Sequence, residues 1–246
     1  MTTSLTDKAT RFAVLEPGAL LTDYGRFHDD LGRDVYHPAE TGGRSRRLAQ
    51  HYATFDPVTG ETRVTRLKTQ PFLQGEHNRL TGHIERPIES ALPEVDFKPY
   101  IAYGFREIHA RWPLDDDERE WLVNCHQIRT HAFEDRTGDP APEGIHRDGV
   151  EFIMMGCVEK RGVVGGVSHL YDGEDGVPLF GTTLEPGQVL LVDDRELHHM
   201  ASPVVATAAE GHRDMILMGF HYWSRGHYRA EWRESLYDEG RVEHAA

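Results

Sequence analysis

The feature that most constrains this chain is a series of short apolar runs in its second half. "LVNCHQIRTHAF" at 122–133, "EFIMMGCVEK" at 151–160, "VLLVDD" at 189–194 and "MILMGFHYW" at 215–223 are separated by Gly, Pro and Asp turns. Runs this short, broken by turn residues, specify strands of an antiparallel sandwich or barrel, not the helix–strand alternation of a parallel sheet. Several are apolar at both parities, with Phe152 and Met154 beside Ile153 and Met155. Strands covered on both faces read this way.

The first half supplies candidates for the cover. "RFAVLEPGALLTDYGRFHDDLG" at 11–32 reads as a short strand followed by a helix, with Pro17 near its first turn and Gly32 at its end. "RLAQHYATFDPVTGETRVTRL" at 47–67 places two β-rich runs around a Pro and Gly turn, which signals a hairpin. Residues 89–112 carry apolar positions at helical spacing, interrupted by Pro93 and Pro99. The expectation is one domain over 1–246, mainly β with flanking helices: a helical and hairpin support over 11–115, a core over 120–223 and a charged, peripheral tail from 224 to 246. Residues 1–10 are expected to be a loose start. At 246 residues the chain is long enough to bury a sizeable core.

Charge and composition exclude several classes of partner. A formal net charge of −14 sets the protein's own field against nucleic acid and anionic membranes, so neither is expected. The apolar runs are far too short to span a bilayer, and the N-terminus lacks a basic segment leading into an apolar one. A cytoplasmic location is the expectation. Cys125 and Cys157 both sit in apolar stretches, which suits buried thiols and not a disulfide framework.

The tripeptide His-Arg-Asp occurs twice, at 146–148 and 212–214, each time before an apolar run. A protein-kinase catalytic loop needs Asn five residues after the Asp, and Ile153 and Gly219 stand there. In the first copy, residues two apart on a strand share a face, so His146 and Asp148 converge. An imidazole and a carboxylate together suit a divalent metal, and a third ligand is available where "RELHHM" brings His198 and His199 to the end of another apolar run. Two histidines and one carboxylate leave open positions on a metal, as in nonheme Fe(II) oxygenases. In the second copy Arg213 opens an apolar strand, where an inward guanidinium is costly unless it meets an anion. Asp193 and Asp194 are read as turn formers or partners of Arg195.

Taken together, "PEGIHRDGVEFI", "GGVSHLYD", "LLVDDRELHHMASPV" and "GHRDMILMGF", in that order, resemble the bacterial 2-oxoglutarate-dependent Fe(II) dioxygenases typified by L-isoleucine dioxygenase, which hydroxylate free amino acids. The resemblance covers about 125–222, and "PFLQGEHNRLTGHIER" at 71–86 more loosely. It implies a double-stranded β-helix, a jelly-roll and cupin-like core. It implies His146, Asp148 and His199 as metal ligands, His199 being the histidine four residues before a Pro. It also implies Arg213 as the anchor of the far carboxylate of 2-oxoglutarate, with Gln127 and Arg129 reaching co-substrate or substrate. Fe(II), 2-oxoglutarate and O2 are the implied cofactors and co-substrates. The implied reaction hydroxylates an aliphatic C–H of a free L-amino acid or similar small molecule, releasing succinate and CO2; Asp148 in the ligand set disfavours halogenation. Arg129, Arg106 and Glu151 are candidates for holding the amino acid's charged groups. Three readings compete with this one: a zinc or nickel cupin hydrolase or isomerase that uses the same three residues without 2-oxoglutarate, a peptide or carrier-bound substrate, and a cupin-like metal or ligand-binding module without oxygenase activity.

Overall fold

The structure is a computed structural model. It describes residues 11–225 apart from 39, 75–77, 79, 81, 83 and 115–117. The expected loose start and the tail from 226 onward lie outside the described residues.

The apolar runs form strands. In chain order these are β1 (Phe12–Leu15), β2 (Arg44–Phe55), β3 (Thr62–Arg66), β4 (Glu120–Phe133), β5 (Phe152–Arg161), β6 (Val163–Gly165), β7 (Ser168–Tyr171), β8 (Phe180–Thr182), β9 (Val189–Asp193), β10 (His198–Ala201), β11 (Val204–Ala206) and β12 (Glu210–Tyr222). Seven make one antiparallel sheet in the order β1-β9-β5-β12-β4-β2-β3. A three-stranded sheet, β10-β7-β8, and the pair β11-β6 make up the rest. The architecture is mainly β with flanking helices around a jelly-roll core.

The two faces of the large sheet do different work, which is why its strands are apolar at both parities. On one face Val123, Cys125, Met154, Ile216, Met218 and Phe220 pack against the helix α2 (Lys98–His109). That helix buries Tyr100, Ile101, Gly104, Phe105 and Ile108, one stripe at helical spacing. Phe105 lies edge-on to Trp121 and Phe220, at 5.4 and 5.1 Å between centroids, and stacks on Phe55 at 5.3 Å. Burial of each such ring contributes about 1.5–3 kcal/mol. Gly104 permits this approach, because a Cβ there would sit 2.4 Å from Cζ of Phe220. On the opposite face Ile153, Cys157, Leu190, Val192 and Met215 meet Leu170 of the small sheet. The site opens on this second face.

The flanking elements differ in detail from the expectation. The segment expected as a helix before Gly32 is one α turn, α1 (Ala19–Thr22), followed by a 3-10 turn over Asp23–Phe27. The second helix starts only at Lys98, because Pro93 and Pro99 deny it earlier backbone hydrogen bonds, and Pro99 is tolerated in its first turn. The hairpin is present as β2 and β3. Both cysteines are free and buried, and no described helix is long and apolar enough to cross a membrane.

Candidate metal centre and cavity

Sheet register decides which side chains face the cavity. Directly paired residues of neighbouring strands point the same way. Arg213, Thr130 and Arg44 therefore form one row across β12, β4 and β2. Met215, Ile128 and Arg46 form the next, and Leu217, His126 and Leu48 the one after. Apart from Leu48, these rows floor a cavity that together with its open mouth takes in about 740 Å³, continuous with a smaller space over Phe72, His126 and His221.

His146, Asp148 and His199 come together at its wall. Each offers a ligand atom, and these atoms lie within 4.8 Å of one another. Asp148 Oδ2 is 3.5 Å from His199 Nε2, and Asp148 Oδ1 is 3.8 Å from His146 Nε2. The sequence reading put His146 and Asp148 on a strand. They instead lie in a loop before β5, where His146 exchanges backbone hydrogen bonds of 3.0 and 2.7 Å with His199 of β10. That bridge sets the two imidazoles 4.5 Å apart, tilted 58° to each other. His198, the alternative, is register partner to Tyr171, one position out of phase with His199.

The donor set fits a divalent metal on observations of its own. His146 Nδ1 donates to the Gly144 carbonyl at 2.8 Å, which leaves Nε2 as the free lone pair toward Asp148. Both ring nitrogens of His199 are buried without a hydrogen-bond partner. Burial, then the neighbouring His146, holds that ring's pKa well below the ordinary histidine value, so it is neutral and able to ligate. Gln74 Nε2 donates to Asp148 Oδ1 at 2.6 Å and orients the carboxylate.

Arg213 lines the same cavity, buried, with Nη2 unpartnered. Burial pushes its pKa below the usual range, the expected cost of a cation without an anion. Gly166, in the left-handed region at φ 66°, makes room for it: a Cβ there would be 3.1 Å from Cδ of Arg213.

The structure corrects the reading of Gln127 and Arg129. Both lie on the far face of β4, since Ile128 and Thr130 hold the cavity side. Gln127 Nε2 donates to the Phe27 carbonyl at 3.0 Å. Arg129 donates to both oxygens of Asp214 at 2.7 Å and to Asp29 at 3.1 Å, and Asp214 holds its guanidinium above the usual range. The grouping Glu159, His212 and Asp214 is thus tied into an ion-pair network with Arg129. Arg106 is also misplaced for binding: it is exposed on α2 over the Tyr103 ring. Glu151 is held by His221 Nδ1 and the Tyr222 amide, each at 2.8 Å, outside the cavity lining.

Sequence reasoning missed several residues. Asp193 pairs with Arg195 as expected, at 2.6 Å. Asp194 instead accepts backbone N–H groups of Asp148, Gly149 and Val150 at 3.2, 2.8 and 3.2 Å, bracing the loop that carries the metal-facing carboxylate. Arg44, Arg46, Arg86, Gln74 and Glu143 also line the cavity. The only signal for Gln74 and Arg86 was their place in the 71–86 stretch of loose resemblance.

Comparisons with known proteins agree with this geometry. The profile of the family described as 2OG-Fe dioxygenase matches residues 25–219. Among solved structures, a bsmA homolog from Methylobium petroleophilum PM1 is 26% identical with a TM-score of 0.70, covering 88% of this chain and 90% of that one. IDO from Bacillus thuringiensis superposes with a TM-score of 0.67 over 88% of this chain and 92% of that one; at 16% identity the likeness is one of fold. The bifunctional enzyme flvA of Aspergillus flavus is 26% identical over 128 residues. That match takes in 45% of this chain and 15% of the relative, so the chain spans only a small part of that longer protein. With a profile matching most of its length and a His-Asp-His cluster beside a buried arginine whose Nη2 is unpartnered, the chain belongs to the 2OG-Fe dioxygenase family, whose members use Fe(II), 2-oxoglutarate and O2.

Proposed function

We propose that the chain hydroxylates an aliphatic C–H bond of a free L-amino acid or similar small molecule, as its resemblance to the L-isoleucine dioxygenases implies. The observation that carries the reading is a cavity of small-molecule size whose wall holds the His146, Asp148 and His199 cluster and charged groups of both signs, Arg46 and Arg86 against Glu143. A zwitterion needs both.

Each residue has a task in this reading. His146 Nε2, Asp148 and His199 hold the metal, with His146 oriented by Gly144 and Asp148 by Gln74. Arg213 meets the far carboxylate of 2-oxoglutarate and aligns it along the floor of the cavity. Met155, Met215 and Leu217 give an apolar wall that keeps water from the reacting carbon. When bound, Fe(II) with 2-oxoglutarate and O2 supplies the oxidation, converting R–H to R–OH with succinate and CO2 as co-products. The protein's contribution is selection and alignment of one C–H bond.

The test is incubation with Fe(II), ascorbate, 2-oxoglutarate and a panel of free L-amino acids. The expected result is succinate above the substrate-free background and a product heavier by one oxygen. If no member of the panel raises succinate while peptides carrying the same side chains do, the substrate is a peptide and the free amino acid is excluded.

A further inference from the structure

The cavity holds more positive charge than its co-substrate can use. Arg44 is matched: Asp34, buried, accepts from its Nε at 2.9 Å and its Nη2 at 2.8 Å. Although burial opposes it, Arg44 and Arg46 hold the Asp34 carboxyl below its usual range, and its close hydrogen-bonded partner is Arg44. Arg46 and Arg86 are different. Arg46 donates to Nδ1 of His126, at 3.2 Å from Nε and 2.9 Å from Nη2, and its Nη1 is 3.8 Å from the already engaged Asp34. Burial, then Arg46, holds His126 well below the ordinary histidine value, so this acceptor is neutral. Arg86 donates from Nη2 to Oε1 of Gln74, also neutral, and its Nε is buried without a partner.

Both guanidiniums lie over the ring of Phe72, at 5.1 and 4.9 Å from its centroid. Burial, with Arg44 and Arg86 close by, pushes Arg46 down to about 9, still charged at neutral pH. Among the described residues Asp34 is shared between Arg44 and Arg46, and neither Arg46 nor Arg86 has a carboxylate as its hydrogen-bond partner, so the group carries more positive than negative charge. The carboxylates nearest in the cavity, Asp148 and Glu143, face the metal ligand His146 at 3.8 and 3.4 Å. A divalent cation held by His146, Asp148 and His199 would take up the charge of Asp148, and Glu143 is left to face the substrate's ammonium group.

Position separates this pair from Arg213. Arg213 stands on β12 and Arg46 on β2, with β4 between them. Two strand spacings amount to roughly 10 Å. A five-carbon diacid running from the metal ligands to Arg213 adds no anion to Arg46 and Arg86, whose nearest ion-pair carboxylate, Asp34, already serves Arg44. We propose that Arg46 and Arg86, gathered over Phe72, form a second anion site that binds the carboxylate of the organic substrate. This inference rests on the reading of the chain as a small-molecule dioxygenase and sharpens it: the substrate carries a free carboxylate. Gln74 links the site to the metal, accepting from Arg86 on one oxygen and donating to Asp148 from its nitrogen. An occupied site therefore steadies a metal ligand.

The experiment uses the full chain loaded with Mn(II) and saturating 2-oxoglutarate, a complex that binds without turning over. Calorimetry measures the binding of free L-amino acids, of the same amino acids as carboxamides, and of unbranched C4 to C6 monocarboxylates. The unaltered protein is expected to prefer the acid over the carboxamide by about 30-fold or more, the loss typical when a buried charge pair is broken. Arg86→Gln and Arg46→Gln are each expected to collapse that ratio toward one, with 2-oxoglutarate affinity within about twofold of the original. Retained affinity for 2-oxoglutarate shows that the variants are folded. An unchanged acid-to-carboxamide ratio in both variants, or a loss of 2-oxoglutarate binding in place of acid preference, overturns the second site while the amino-acid reading stands. Monocarboxylates that bind through Arg86 when no amino acid does uphold the site and sink the amino-acid reading.

Discussion

Asp194 accepts the backbone N–H of Asp148 at 3.2 Å, so a carboxylate at the end of β9 positions another that lies 46 residues earlier in the chain. It also takes the amides of Gly149 and Val150, at 2.8 and 3.2 Å. Burial, then the nearby Asp148, raises its pKa well above the usual carboxylate range, a cost the three amides partly offset. Asp194→Ala removes all three acceptors and frees the loop. Affinity for Fe(II) or Mn(II) is expected to fall about 10- to 100-fold, the effect typical of residues that orient a metal ligand. Metal titration followed by calorimetry decides it; unchanged affinity means that the loop is held by something else.

Metal removal is expected to loosen the protein. His146 and Asp148 lie in one segment and His199 in another, and a shared ion would join them. At one hundred times its Kd, Fe(II) or Mn(II) adds about 2.7 kcal/mol of stability, or about 5–10 °C in Tm for a chain of this size. His199→Ala abolishes that shift. A chelator lowers Tm of the unaltered protein and leaves the variant where it was.

Arg213→Ala is expected to raise KM for 2-oxoglutarate roughly 30-fold or more, since it leaves a carboxylate facing an apolar wall. Arg129→Gln is the informative control. Its partners are Asp214 of β12 and Asp29, on the face of the sheet away from the cavity, so KM for 2-oxoglutarate stays within about twofold while stability drops. Succinate formation against 2-oxoglutarate concentration separates the two; a rise in KM for Arg129→Gln alone reverses the assignment.

Acid stability has a specific source in His51. Its ring is buried against Phe97 and Cys125, and burial, with Arg66 nearby, pushes its pKa from 6.5 down to about 3. Above pH 6.5 the ring is neutral in folded and unfolded chains alike, and its contribution is fully present. As pH falls below 6.5 the unfolded chain takes a proton that the folded chain refuses, so stability is lost at up to about 1.4 kcal/mol per pH unit until about pH 3. His51→Leu is expected to flatten the dependence of urea midpoints on pH between 6 and 4 by that increment. An identical slope in the variant rules His51 out as the cause.

Much of the molecule was legible in the chain because the relevant information is local. Short apolar runs punctuated by Gly, Pro and Asp specify strands, and apolarity at both parities says that each face is covered; β4, β5, β9 and β12 bear this out. The pairing of His146 with Asp148, the neighbourhood of His199 and the inward cost of Arg213 also follow from spacing and residue type, and the structure brings all four to one cavity. What stayed hidden depends on register. β4 is apolar on both faces, so nothing in "NCHQIRTH" says whether even or odd residues face the cavity, and only its pairing with β12 and β2 turns Gln127 and Arg129 away and His126 and Ile128 inward. Asp194, Gln74, Arg46 and Arg86 act on residues far along the chain. A sequence states what each segment prefers, but which distant segments share a face is decided when the sheet closes, because a shift of one residue in strand pairing moves every side chain to the other side.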